Sequence, residues 1–85
     1  MYTIRLHTRV QKFLMAHPDI ALRFQEILPI LEVDPYSREL DVKRMKWWLW
    51  ESRLRIGKYR FIFVVHADEL QVLFLDADSR GSIYK

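Results

Sequence analysis

Residues 53 to 65 read RLRIGKYRFIFVV. Gly57 and Lys58 sit between two runs rich in β-branched, aromatic and aliphatic residues, the pattern of two strands joined by a tight hairpin. From Trp48 to Ile56 the even positions Trp48, Trp50, Leu54 and Ile56 are apolar, and the odd positions Glu51, Arg53 and Arg55 are charged. Alternation of that kind gives a strand one dry face and one wet face. A turn at Gly57 brings Arg60 opposite or diagonal to Arg53 and Arg55, so three guanidinium groups share the wet face.

Outward from the hairpin, the remaining elements follow by period. A third strand of the meander runs from Glu69 to Ala77, after a turn at Ala67 and Asp68. Upstream, Tyr2, Ile4 and Leu6 alternate with Thr3 and Arg5, as in a half-buried strand. Thr8 and Gln11 have the spacing of a capping box, and Val10, Phe13 and Leu14 make the apolar stripe of a short helix. That helix stops near His17, because the residue before a proline is pushed out of helical geometry. Pro18 opens a second helix with Ile20, Phe24, Ile27, Leu28 and Leu31 on one face. Pro29 removes a helical hydrogen bond, so the helix is expected to end near Leu28 or bend there. Asp34, Pro35, Tyr36 and Ser37 are turn residues and begin an irregular connection. The order is β-α-α-β-β-β. It predicts one α+β domain over residues 1–85, an antiparallel sheet with two N-terminal helices packed on one face and the other face open.

Composition limits what such a domain can do. The chain has 85 residues, 51% of them apolar and 29% charged, which suits one globular domain and not two or a disordered chain. It holds no cysteine, so neither a disulfide frame nor a thiolate nucleophile is available, and the cytoplasm is the expected compartment. No apolar run approaches the roughly 18 residues of a membrane span, so no membrane partner is expected. The three histidines, His7, His17 and His66, lack metal-ligand spacing and read as structural. No glycine-rich phosphate loop exists, and neither a metal nor a cofactor is expected.

The net charge of +3 is unevenly placed. Lys43, Arg44, Lys46, Arg53, Arg55, Lys58 and Arg60 stand against the single acid Glu51, while residues 61 to 79 contain no lysine or arginine. A local surplus of this kind attracts phosphates by steering and counterion release. Guanidinium binds phosphate bidentately and keeps its charge near neutral pH. The competing reading pairs each arginine with Glu51, Asp76 or Asp78, and spacing alone leaves the two open. Trp47, Trp48 and Trp50 read as packing residues, with Trp47 the exposed one of the three.

RLRIGKYRFIFVV, the turn HADEL, the strand QVLFLDA and the ending DSRGSIYK together resemble the C-terminal half of RelE/ParE-superfamily toxins. KFL and HPDI in the helices, and the connection VDPYSRELDVKRM, resemble the front half. The resemblance implies a small toxin held inactive by a cognate antitoxin, in the RelE branch a metal-independent endoribonuclease that cuts mRNA on the ribosome. RNA supplies the 2′-hydroxyl nucleophile, so the protein must supply a base, a cationic clamp and a proton for the leaving oxygen. By family position Arg60 and Arg80 are the phosphate clamp, with Arg80 also near the leaving oxygen. Tyr84 is the C-terminal tyrosine, and arginines beside it would favour its phenolate. Arg53 and Arg55, with Lys43, Arg44 and Lys46, match the basic substrate-binding surface. The chain departs from the RelE pattern in carrying arginines where lysines are usual, which leaves Lys58 and Glu39 as further candidates for the base. Trp47 also replaces the usual glycine. The alternatives are a ParE-like inhibitor of DNA gyrase with the same fold, which needs neither base nor acid, and a basic binding module without chemistry.

Overall fold

The structure is a computed structural model and describes residues 1–44 and 51–79. Met45, Lys46, Trp47, Trp48 and Trp50 lie outside the described residues, as do Arg80, Gly81 and Tyr84, so the expectations placed on them are not carried into the description of the fold.

The first strand, β1 (Thr3–Leu6), leads into helix α1 (Thr8–Ala16). The expected capping box is displaced by one residue. His7, in extended geometry, is the cap, and its Nδ1 accepts the Arg9 backbone N–H at 3.2 Å. Thr8 is already helical, and the Gln11 side-chain amide donates instead to the Leu6 carbonyl at 3.0 Å. An unprotonated imidazole nitrogen thus does what a hydroxyl does at most helix starts.

His17 separates α1 from α2 (Pro18–Val33). Its ring Nδ1 bonds the Phe13 carbonyl at 2.8 Å and its face stacks on Phe13 at 4.1 Å between centroids. Tyr59 meets both rings edge-on, which ties this junction to the hairpin. Of the two outcomes expected at Pro29, the helix does not end there: α2 runs on to Val33 with Pro29 inside it. The bond that Pro29 removes belongs to the Gln25 carbonyl, and both residues are exposed, so water can serve that carbonyl. The helix is then closed by the Asp34 N–H on the Ile30 carbonyl. Asp34 Oδ1 accepts from Tyr36 N–H in the following turn, as an aspartate at a turn start commonly does.

Four more strands follow: β2 (Asp41–Arg44), β3 (Glu51–Ile56), β4 (Tyr59–His66) and β5 (Gln71–Ser79). Their order across the sheet is β1-β5-β4-β3-β2. The meander β3 to β5 is antiparallel, as expected; β2 extends it in the same sense, and β1 departs from the expected antiparallel sheet by joining in parallel beside β5. That orientation follows from the path. The helices carry the chain from β1 to the opposite edge, and three successive reversals bring β5 back beside β1 running the same way. β2 was expected to be part of an irregular connection. The hairpin turn is as read, with Ile56 paired to Tyr59 and Gly57 at φ +61. A short 3-10 turn, Ala67–Glu69, closes with Leu70 in left-handed geometry, which moves the start of β5 two residues beyond the expected Glu69.

The core fills the space between the helices and one sheet face. Val10, Phe24 and Leu31 meet Leu54, Phe61 and Phe74, all nearly or fully inaccessible to solvent. Phe61 packs against Phe13, Phe24 and Phe74, so one ring links both helices to the two central strands. Among the described residues no helix is long and apolar enough to cross a membrane.

Candidate nucleic-acid interface

The sheet face away from the helices carries the charges, and strand register places them in rows. Asp41 pairs with Arg55, Arg55 with Arg60, and Arg60 with Asp78. The next row reads Lys43, Arg53, Ile62 and Asp76. A third holds Glu51, Val64, Leu73 and, on β1, Arg5. Residues directly opposite share a face with Cβ atoms about 5 Å apart. Arg55 and Arg60 are therefore immediate neighbours, Arg53 is diagonal to Arg60, and Lys43 flanks Arg53. Ile62, in the middle, is only 4% exposed although it lies outside the helix-side core.

Each side chain has a local reason for its place. Alternation in β3 sends Ser52, Leu54 and Ile56 into the core and leaves Arg53 and Arg55 on the other side. Arg55 is exposed, and its Nε donates to the Gly57 carbonyl at 3.1 Å, so its guanidinium is drawn toward the turn. Arg23, on α2, reaches the same turn. Its Nη1 stands 3.2 Å from where a Cβ on Gly57 would lie. A groove of about 360 Å³ opens there between α2 and the β2–β3 edge, with Arg23, Glu26, Glu39, Asp41 and Arg55 among its lining residues.

The expected site residues divide by position. Arg53, Arg55, Arg60 and Lys43 share the charged face. Arg44 does not: it pairs with the buried Ser52, on the helix side, and its guanidinium lies 5.0 Å from the centre of the Tyr36 ring. Lys58 is at the turn, with its ammonium 5.9 Å from the Tyr59 ring centre. Glu39 lines the turn groove rather than the arginine face, and its N–H donates to Ser37 Oγ. Lys46, Arg80 and Tyr84 lie outside the described residues.

Two basic residues near these surfaces had no signal of their own. Arg23 is far from the hairpin in sequence and meets it only through α2 packing. Arg5 lies on the charged face because of the parallel pairing of β1, although the alternation of Tyr2, Ile4 and Leu6 marks it as outward. Another groove, about 640 Å³ between β1 and α2, is at the other sheet edge. Tyr2, Ile4, Phe24 and Leu28 line it, and no lysine or arginine does.

No family model matches the chain. It is 33% identical over 86 residues to a Methanocaldococcus jannaschii protein named "Putative toxin RelE1", covering 99% of this chain and 96% of that protein. Among solved structures it resembles the toxin in an archaeal RelE–RelB complex from Pyrococcus horikoshii OT3, with a TM-score of 0.79 and 29% identity over 95% of this chain and 97% of that one. The RelB–RelE antitoxin–toxin complex from Methanococcus jannaschii matches with a TM-score of 0.75 and 25% identity, covering 95% of each chain. The toxin–antitoxin complex RelBE2 of Mycobacterium tuberculosis matches at 0.72 and 25%, over 93% of this chain and 98% of the other. A RelE-named relative 33% identical over 99% of this chain, together with RelE–RelB complexes that share its fold, places this chain in the RelE family of toxins.

Proposed function

We propose that the chain is the toxin of a type II toxin–antitoxin pair and that it cuts mRNA on the ribosome without a metal. The observation that carries this reading is the direct pairing of Arg55 with Arg60, with Arg53 and Lys43 in the adjoining row of the same face. Two guanidinium groups placed side by side make a cationic surface that a polyanion can bridge, and RNA is the polyanion a RelE-family toxin would meet in the cytoplasm.

In this mechanism the 2′-hydroxyl oxygen attacks the adjacent phosphorus and the bond from phosphorus to the 5′-oxygen breaks. The products are a 2′,3′-cyclic phosphate and a 5′-hydroxyl end. The 2′ proton passes to a base, and another proton is delivered to the leaving 5′-oxygen. Arg60 and Arg80 stabilise the charge that builds on the phosphate oxygens. Arg53, Arg55 and Lys43 hold the flanking backbone, with Lys46 as a further contact. Tyr84 is the base, and Lys58 the second candidate for that role. Arginine itself is a poor proton acceptor, so the paired arginines serve as clamp and not as base.

The solved relatives are complexes with RelB antitoxins, which supports an antitoxin partner for this chain as well. An acidic or amphipathic segment over the arginine face would neutralise it and block RNA. The gyrase-directed reading of the same sequence pattern draws no support from these relatives, whose names are all RelE. The test is purified chain added to an extract translating one defined mRNA. The proposal expects cuts with 5′-hydroxyl ends that require engaged ribosomes; an intact transcript at toxin levels that stop protein synthesis overturns it.

A further inference from the structure

Asp76 and Asp78 have the same parity along β5 as Val72 and Phe74, which are fully buried. An uninterrupted ladder would turn both carboxylates into the core. A bulge prevents this. Phe63 pairs with Phe74, but the preceding Ile62 pairs with Asp76, so Leu75 has no partner of its own. Past the bulge the faces exchange. Ala77 packs on the core opposite Phe61, and Asp78 arrives on the charged face opposite Arg60. At the other side of the sheet Asp41 stands opposite Arg55. One row across four strands therefore reads acid, base, base, acid.

Such a row has a consequence for any phosphate that binds the two arginines. By register each arginine has an aspartate as its outer cross-strand neighbour and the other arginine as its inner one, while the Arg55 Nε itself donates to the Gly57 carbonyl. Negative charge on both flanks lowers the mutual repulsion of the two cations while the face is empty. The carboxylates also offer the two guanidinium groups an alternative to phosphate. Bulges re-aim side chains at functional surfaces, and this one sets Asp78 beside the residue with the main role in the proposed site.

We infer that Asp41 and Asp78 are positioning residues for the arginine pair, which hold Arg55 and Arg60 on the sheet and compete with phosphate for them. A single phosphate then binds weakly, and a strand presenting several phosphates is needed to displace both carboxylates. The identity of the polyanion rests on the RNA reading above; the competition itself does not.

The test is binding of a short RNA, made uncleavable by one 2′-deoxy nucleotide, across a series of salt concentrations. Asp78→Asn and Asp41→Asn are compared with Asp68→Asn, which removes an exposed carboxylate at the far end of β4. Each row variant is expected to bind roughly 1.5- to 5-fold tighter at low salt, the range of an exposed ion pair expressed as affinity. The dependence of log K on log salt becomes steeper by up to about one unit, and Asp68→Asn changes neither. On cleavable substrate Asp78→Asn lowers both KM and kcat, because Arg60 binds more freely and is held less well. If the row variants behave as Asp68→Asn does while Arg60→Ala abolishes binding, the inference is overturned and the RNA reading stands. If the unaltered chain binds no RNA, the RNA reading fails, and a thermal-unfolding cycle of Asp78→Asn with Arg60→Gln decides the inference. Coupling that vanishes at high salt supports it, and additive shifts overturn it.

Discussion

Arg55 and Arg60 stand directly opposite each other across the β3–β4 hairpin, as Lys43 and Arg53 do across β2 and β3. Two like charges so placed cost stability. Arg60→Ala removes that repulsion together with the pairing to Asp78 and should leave the fold intact with a little-changed melting temperature, while cleavage falls by about 10²- to 10³-fold, the loss typical of one transition-state donor. Parallel melting curves and cleavage rates in a translating extract check both halves.

The register also separates true face residues from a near neighbour in sequence. Arg53→Ala and Lys43→Ala should weaken RNA binding, whereas Arg44→Ala should not, since Arg44 sits on the helix side over Tyr36. With Lys43, Arg53, Arg55 and Arg60 engaged, a single-stranded ligand should lose roughly 50-fold in affinity between 50 and 200 mM salt, from a slope of about −0.7 per neutralised phosphate. Anisotropy titrations across that range give the slope.

The hairpin turn should be intolerant of a side chain. Gly57 has φ +61, and Arg23 Nη1 is 3.2 Å from the position of an added Cβ. Gly57→Ala is expected to cost about 1–2 kcal/mol for the left-handed backbone alone, and Gly57→Asn less, because asparagine tolerates that region. Urea unfolding of the two variants provides the comparison.

Phe61 touches rings from both helices and from β5 and is fully buried. Phe61→Ala should cost about 3–5 kcal/mol, a large share of the about 5–15 kcal/mol that holds a small domain folded. Circular dichroism at 25 °C should show a substantial unfolded fraction.

The cap on α1 can be tested by type. His7→Ala should destabilise the chain by about 1 kcal/mol, while His7→Asn, which also accepts from a backbone N–H, should cost little. Chemical unfolding midpoints distinguish them.

Much of this was readable in the sequence because the physics was local. The Gly57–Lys58 turn and the alternation of Arg53 to Ile56 set the hairpin, its faces and the arginine cluster. Other features depend on partners far along the chain. β2 has one apolar residue, Val42, so its period is invisible until β3 supplies a register. Strict alternation along β5 would bury Asp76 and Asp78, and only the bulge at Leu75 shows where they go. Arg23 belongs to a helix whose apolar face alone is encoded, and its approach to Gly57 follows from packing. His7 carries no cap signal in the sequence because hydroxyls and carboxylates are commoner there.

The most direct measurement is mapping of transcript 5′ ends in cells after brief induction of the chain alone, beside cells expressing Arg60→Ala at equal level. The account predicts new 5′-hydroxyl ends inside translated regions for the unaltered chain and their loss in the variant. Growth arrest with whole transcripts, or the same cuts at the same frequency in the variant, contradicts it.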